Sequence, residues 1–386
     1  MQFTFTDEQE EFRLIVRRFM DDKSPRTEVR KLMDSEQGYD AAVWKQLSEG
    51  LGLPGIHIPE AYGGQGFGFV ELCIVLEEMG RALLCAPFFS ATALAATSII
   101  HAGTEEQKLA LLPGIASGQT LATLALSEAN RDWLPCNTET SATPSDNNSG
   151  DNSDDNYLLN GEKSYVVDGH IADLLIVVAR TPGTAGDEGL SLFTVPSDAP
   201  GLQRRLLKSL DPTRKLAHIE FKQTPATLLG ELNRGGDTLP PILDLAAVAL
   251  ASEMVGGAQM MLESALDYAQ LRMQFGRLIG SFQVIKHKCA DMLLDVELAK
   301  STAYYAASAA ADGAPDLPTV ASLSKAYASD TYMKSAAECL QIHGGIGFTW
   351  ENDTHLYFKR AKSSEVFLGD ANYHRDQVVL RWENQA

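Results

Sequence analysis

Long helical runs joined by short connections fill the second half of the chain, and they limit its fold more than any other feature. Leu239 to Leu271, Phe282 to Ala311 and Thr319 to Ile342 each carry apolar residues at helical spacing, and Ser363 to Trp382 offers a shorter fourth run. Such helices bury their apolar stripes only by lying side by side, so a four-helix bundle is expected. Gly256-Gly257, inside the first run, is expected to let a neighbouring helix approach closely.

The first third is helical too, but more broken. Thr6-Asp7-Glu8-Gln9 has the capping-box pattern, and Phe12, Ile15, Val16 and Phe19 follow as one apolar face. Further helices are expected over Ala41 to Leu51, Val70 to Leu84, Ser90 to His101 and Thr104 to Ala110. Pro54, Pro59 and Gly63-Gly64-Gln65-Gly66 punctuate them. The middle changes character. Tyr165-Val166-Val167, Leu174 to Ala179, Leu190 to Val195 and Leu216 to Phe221 read as strands, and Asn160-Gly161 as a hairpin turn. The polar tract Thr143 to Asn156 reads as a solvated, lengthened hairpin loop; an acidic metal loop is the alternative. The fold class is therefore α+β and multi-domain: an N-terminal helical domain over 1–118, a small β-sandwich or barrel over 119–232, and the bundle over 233–386. No internal repeat is visible.

Composition removes several functions. The formal charge of −19, from 32 basic and 51 acidic residues, argues against a nucleic-acid footprint. Five widely spaced cysteines without a CxxC pair favour free thiols in a reducing compartment over disulfides or zinc. Acidic residues soon after Met1 do not suit a signal peptide, and the apolar stretches read as too short to cross a bilayer. A cytoplasmic protein without membrane insertion and without a bound metal is expected.

Particular motifs say more. Tyr268-Ala-Gln-Leu-Arg272-Met-Gln274-Phe275-Gly276, followed by Phe282-Gln283-Val-Ile-Lys286-His287 and Ala290-Asp291-Met292, closely resembles the acyl-CoA dehydrogenase signature. Gln341-Ile-His343-Gly344-Gly345-Ile-Gly347-Phe348 resembles the family's second bundle motif. Leu53-Pro54-Gly55, Pro59-Glu60-Ala-Tyr62-Gly63-Gly64, Leu159-Asn160-Gly161-Glu162-Lys163 and Ala172-Asp173 extend the resemblance along essentially the whole chain. The resemblance implies FAD as cofactor, an acyl-CoA substrate and an electron-transfer flavoprotein as acceptor. It also implies cofactor-binding roles for Arg272, Gln274, Phe275, Gln283, Gln341, Gly344 and Gly345. Arg272 can offer forked donors to the pyrophosphate, Phe275 an apolar surface to the cofactor's middle, and Gln283 a contact at its adenosine end. Glycines at 344 and 345 let a ligand or backbone come close. In the family these groups serve a flavin bound mainly by the adjacent subunit. His343 reads as structural.

The departures from the family lie elsewhere. Members remove an α-proton with a carboxylate, commonly a Glu before a Gly-Thr pair near the C-terminus. Aligned on Ala361-Lys362 and Gly369, that position holds Leu368. Some relatives place the base twenty-two residues before the motif tyrosine, which here gives Ala246. The substrate-holding Asp-x-x-Arg appears as Asp244-Leu-Ala-Ala247, with its Arg gone. The family loop Thr-Glu-Pro-Gly-Ala-Gly-Ser-Asp is replaced by Ser127-Glu128-Ala129-Asn130-Arg131-Asp132-Trp133, in which Arg131 and Trp133 are expected to crowd the space. The flavin-bonding threonine of a Trp-Ile-Thr strand is Val167.

What serves the chain's own flavin ring is lost, while what serves a neighbour's dinucleotide remains. This uneven pattern resembles the base-lacking subunit of bacterial heteromeric acyl-CoA dehydrogenases, as in steroid side-chain degradation. The segments Thr349-Trp350-Glu351-Asn-Asp353, His355-Leu-Tyr357, Gly369-Asp370 and His374-Arg375 resemble that subgroup too. The expectation is an α2β2 assembly in which this chain completes a sister chain's FAD site. The first alternative is a self-sufficient homotetramer with a relocated base, Asp370, Glu253 or Glu365. The second is a scaffold subunit without redox chemistry.

Overall fold

The computed structural model describes residues 5–129, 133–145 and 156–383. In chain order its helices are α1 (Asp7–Lys23), α2 (Arg26–Asp34), α3 (Ala41–Lys45), α4 (Phe69–Ala82), α5 (Thr97–Ala102) and α6 (Glu105–Ala116), then α7 (Gly235–Leu271), α8 (Gln283–Asp312), α9 (Leu317–His343), α10 (Thr354–Val366) and α11 (Ala371–Glu383). The strands are β1 (Ala122–Ala125), β2 (Ser141–Pro144), β3 (Asn156–Val167), β4 (Leu174–Arg180), β5 (Leu190–Pro196), β6 (Leu202–Leu206) and β7 (Leu216–Leu229), with a short pair, β8 (Met273–Gln274) and β9 (Arg277–Leu278). Two units form, each discontinuous in sequence: a helical unit of Met1–Met33, Gly68–Cys85 and Asp244–Ala386, and a barrel unit of Asp34–Phe67 and Ala86–Leu243.

In the helical unit, α1 starts at the capping box expected from its sequence, with Thr6 and Gln9 each bonding the other's backbone N–H. Long helix α7 packs closely against α4. A β-carbon at Gly256 would sit 1.8 Å from the Glu77 carbonyl oxygen of α4, and one at Gly80 would sit 1.9 Å from that of Glu253. Only glycine permits the two backbones to meet this closely. Among the described residues α7 is the one helix long and apolar enough to cross a membrane, contrary to the sequence expectation of shorter apolar stretches. Its most apolar window is 89% buried in the protein interior. A buried charge network ties α1 to α4 and α8: Arg13 Nη1 lies 2.8 Å from Glu77, Arg17 donates to both oxygens of Glu78, and the Tyr304 hydroxyl donates to Glu77 at 3.0 Å.

The expected last helix, Ser363 to Trp382, is two helices. The chain breaks at Phe367–Asp370, where Leu368 (φ 59°) and Gly369 (φ 97°) adopt left-handed backbone. Three contacts hold this turn. Lys325 Nζ donates to the carbonyls of Glu365 (3.2 Å) and Gly369 (3.0 Å), and His374 Nε2 donates to that of Leu368 (2.9 Å). The sequence mark of the break is Gly369-Asp370, a terminating glycine followed by a helix-capping aspartate.

In the barrel unit the strand order is β1-β4-β2-β3-β7-β5, with β6 beside β7. β5 pairs with β7 on one side and β4 on the other, so the path closes on itself. Leu159, Leu175, Val177, Phe193, Val195, Ile219 and Phe221 fill the interior. Asn160-Gly161 is not a turn: it lies inside β3 at a register shift against β7, and Asn160 Oδ1 accepts from the backbone N–H of Gln223. The strand continues past it because its flanking side chains are buried on the barrel side. β2 and β3 pair antiparallel at Pro144 and Tyr157, so the polar tract does join a hairpin; its residues 146–155 lie outside the described residues. All five cysteines are free, and four are buried.

Candidate functional site

α7 ends at Leu271, and Arg272 closes it by donating its backbone N–H to the Tyr268 carbonyl at 2.9 Å. The chain then turns back through β8 and β9, paired Met273 to Leu278 and Gln274 to Arg277. The two linking residues, Phe275 (φ 52°) and Gly276 (φ 77°), both have positive φ, the requirement of a type I′ turn. Phenylalanine is a poor choice at the first of these positions, so local backbone preference does not explain it. Its ring is 91% exposed and meets Phe282 only edge-on, with centroids 6.1 Å apart. Arg272 is exposed and makes no ion pair among the described residues, whereas Arg277 stacks over Phe282 at 4.0 Å.

Gln283 opens α8 and Gln341 lies near the end of α9. Both are exposed and make no side-chain hydrogen bond among the described residues. The Gln274 amide bonds the Met273 carbonyl. Gly344 and Gly345 follow α9, and an added β-carbon at either would meet nothing within 4 Å. His343 stacks on Tyr268 with ring centroids 4.2 Å apart, and its Nδ1–H donates to the Cys339 carbonyl at 2.9 Å. Burial keeps this imidazole below the usual histidine range. The stacked pair brings the turn after α7 and the glycines after α9 to one end of the bundle.

Every carboxylate considered as a base has a partner. Asp370 is the N-terminal cap of α11, accepting from the Tyr373 N–H at 2.8 Å. Glu253 is buried and accepts from Arg360 Nη1 at 2.9 Å. Glu365 accepts from Lys362 at 2.7 Å. Leu368 is 7% exposed and Ala246 fully buried. Asp244 is buried and pairs with Arg381 of α11 at 2.8 Å; burial pushes its carboxyl up to about 6 against the opposing pull of that guanidinium. No local pattern marks Arg381 as this partner, because the two residues lie at opposite ends of the bundle sequence.

On the barrel unit, Val167 is buried and its carbonyl accepts from Thr123. Trp133 is partly buried; Asn130, Arg131 and Asp132 lie outside the described residues. The same loop starts with a buried pair. Lys163, fully buried, donates to Glu128 Oε1 and to the Leu126 carbonyl, each at 2.8 Å. Burial pushes the Lys163 amine down to about 8 against the attraction of Glu128. Burial would raise Glu128, yet Lys163 and the N–H groups of Thr140 and Glu139 hold it below the usual carboxylate range. One feature escapes the sequence: the Ser127 hydroxyl is buried and has no hydrogen-bond partner among the described residues.

Three family models match in order: the acyl-CoA dehydrogenase N-terminal domain over 6–119, the middle domain over 123–224 and the C-terminal domain over 233–382. The chain belongs to the acyl-CoA dehydrogenase family. Like others of this family of FAD flavoproteins, it is similar to acyl-CoA dehydrogenase IpdE2 of Mycobacterium tuberculosis, at 33% identity over 92% of this chain and 90% of the relative. Among solved structures, butyryl-CoA dehydrogenase from Megasphaera elsdenii superposes with a TM-score of 0.90 at 27% identity, covering 98% of each chain. A variant of the Tcur3481-Tcur3483 steroid ACAD superposes with a TM-score of 0.86 at 31% identity, again over 98% of each chain. This acyl-CoA dehydrogenase family member has groups that fit part of FAD. Arg272, without an ion pair among the described residues, the exposed Phe275 and the open space at Gly344 and Gly345 suit a pyrophosphate and its linker.

Proposed function

We propose that this chain is the base-lacking subunit of a two-chain acyl-CoA dehydrogenase, in which it completes the FAD site of a catalytic sister chain. The cofactor, when bound, accepts hydride from the β-carbon of an acyl thioester. This chain's part is to hold its phosphate tail: Arg272 donates to the pyrophosphate, Phe275 packs against the linker, Gln274, Gln283 and Gln341 supply hydrogen bonds, and Gly344 and Gly345 leave room. One contrast carries the reading. The tail-binding groups stand exposed, while Asp370, Glu253, Glu365 and Asp244 are each held by a partner of the same chain. Asp244 in particular is held by Arg381, which supports a cleft that binds the substrate's CoA poorly. The relative named for two designations, Tcur3481-Tcur3483, supports a two-chain assembly and a steroid thioester among the substrates to try. An electron-transfer flavoprotein is the proposed acceptor.

Two measurements test this. The chain purified alone, given straight-chain and steroid acyl-CoA thioesters, is expected to show no flavin bleaching; bleaching would make it self-sufficient. Co-expressed with a base-bearing homologue, Arg272→Ala is expected to weaken flavin retention by ~1.5–3 kcal/mol, the worth of a hydrogen bond to a charged group. Unchanged flavin content would favour a scaffold.

A further inference from the structure

A second site lies wholly within the helical unit. A cavity of 430 Å³ opens between α1, α4, α7 and the segment entering α10, lined by Arg17, Arg26, Arg81, Met20, Met260 and Tyr357 among others. Each arginine is fixed along one edge. Arg17 Nε and Nη2 donate to Glu78 at 2.8 and 2.7 Å, Arg26 Nη1 and Nη2 donate to the Ala82 and Arg81 carbonyls at 2.6 and 3.2 Å, and Arg81 Nη2 donates to Glu263. A guanidinium offers more N–H donors than these contacts use. Among the described residues, buried Arg81 Nη1 has no hydrogen-bond partner and Arg26 has no carboxylate partner. Of the carboxylates lining the cavity, Glu78 already faces Arg13 and Arg17, Asp353 faces Arg30, and Asp21 is exposed.

Arginines anchored on one edge lose little freedom when the other edge takes an anion, and their planar forks match phosphate oxygens. Methionines and the Tyr357 ring, over which Arg26 lies at 4.9 Å, supply an apolar wall beside them. We propose that this cavity binds a phosphate ester with a flat apolar body, of nucleoside-monophosphate size. None of the residues assigned to the flavin tail lines this cavity, though His343, which precedes Gly344, does, and the proposal does not rest on the subunit role above.

Titration calorimetry of the full chain with adenosine 5′-monophosphate tests the proposal, and saturable binding displaced by inorganic phosphate is expected. Arg26→Met is expected to weaken it roughly tenfold to a hundredfold, the range for one hydrogen bond to a charged group. Met260→Trp, which removes no charge and fills the cavity, is expected to abolish binding, while Arg272→Ala leaves it unchanged. No saturable heat at millimolar nucleotide overturns the proposal. So does binding that survives Met260→Trp but is lost in Arg272→Ala, since the nucleotide would then sit on the flavin-tail residues.

Discussion

Asp244→Asn separates two opposing forces on one buried carboxylate. Desolvation favours its protonated form, and Arg381 at 2.8 Å favours the charged one. Desolvation wins, moving the carboxyl from 3.8 to about 6. The folded state therefore binds this proton more tightly than the unfolded chain. The group's stabilising contribution is complete below 3.8 and is lost as the pH rises through about 6. The shift corresponds to about 3 kcal/mol in full, of which roughly half develops between pH 8 and pH 5. Asparagine cannot titrate, and the cost of leaving Arg381 without its anion is nearly constant over this range. Urea unfolding of both proteins at pH 8 and pH 5 should thus show the wild type gaining on the order of 1 kcal/mol on the variant at the lower pH. Parallel stabilities would refute the raised pKa. A wild type that loses ground on acidification would show that the ion pair outweighs burial.

Leu368→Glu places a carboxylate where the family's base is expected, in a buried turn whose backbone carbonyls Lys325 and His374 already hold. The chain alone is expected to stay inactive and to lose on the order of 3 kcal/mol at pH 8, regaining part of it at pH 5 as the buried carboxyl protonates; flavin bleaching by an acyl-CoA would show that the base was the sole defect. Lys163→Met strands the Glu128 carboxylate inside the barrel and is expected to cost ~3–5 kcal/mol in chemical denaturation. Adding Glu128→Leu should recover most of that loss, and a double variant no more stable than the single one would contradict the ion-pair account.

Local pattern went far in the helices. The capping box at Thr6, the small residue at Gly256 where another helix comes close, and the runs that become α7, α8 and α9 follow from residues close in sequence. It failed where local preference was ambiguous. Asn160-Gly161 has the composition of a turn, yet β3 runs through it because β7 and the barrel interior fix the strand on both sides. The last bundle helix splits because Lys325 and His374, distant or buried groups, hold the carbonyls of a left-handed turn at Leu368. Short strands β1, β2 and β6 carry too few residues to show a period.

For the candidate site, the family resemblance singled out Arg272, Phe275, Gln283 and the paired glycines, and all of them are exposed; a motif can be read along the chain because its spacing is a local property. The same resemblance set Leu368 and Ala246 at the two positions where a base carboxylate is expected. What each remaining acid does was decided only by tertiary structure. The Asp244–Arg381 and Glu253–Arg360 pairs join residues far apart in the chain, and the cap at Asp370 exists only once α10 and α11 separate. Charge pairing and burial depend on distance in space, which a linear order of residues does not contain.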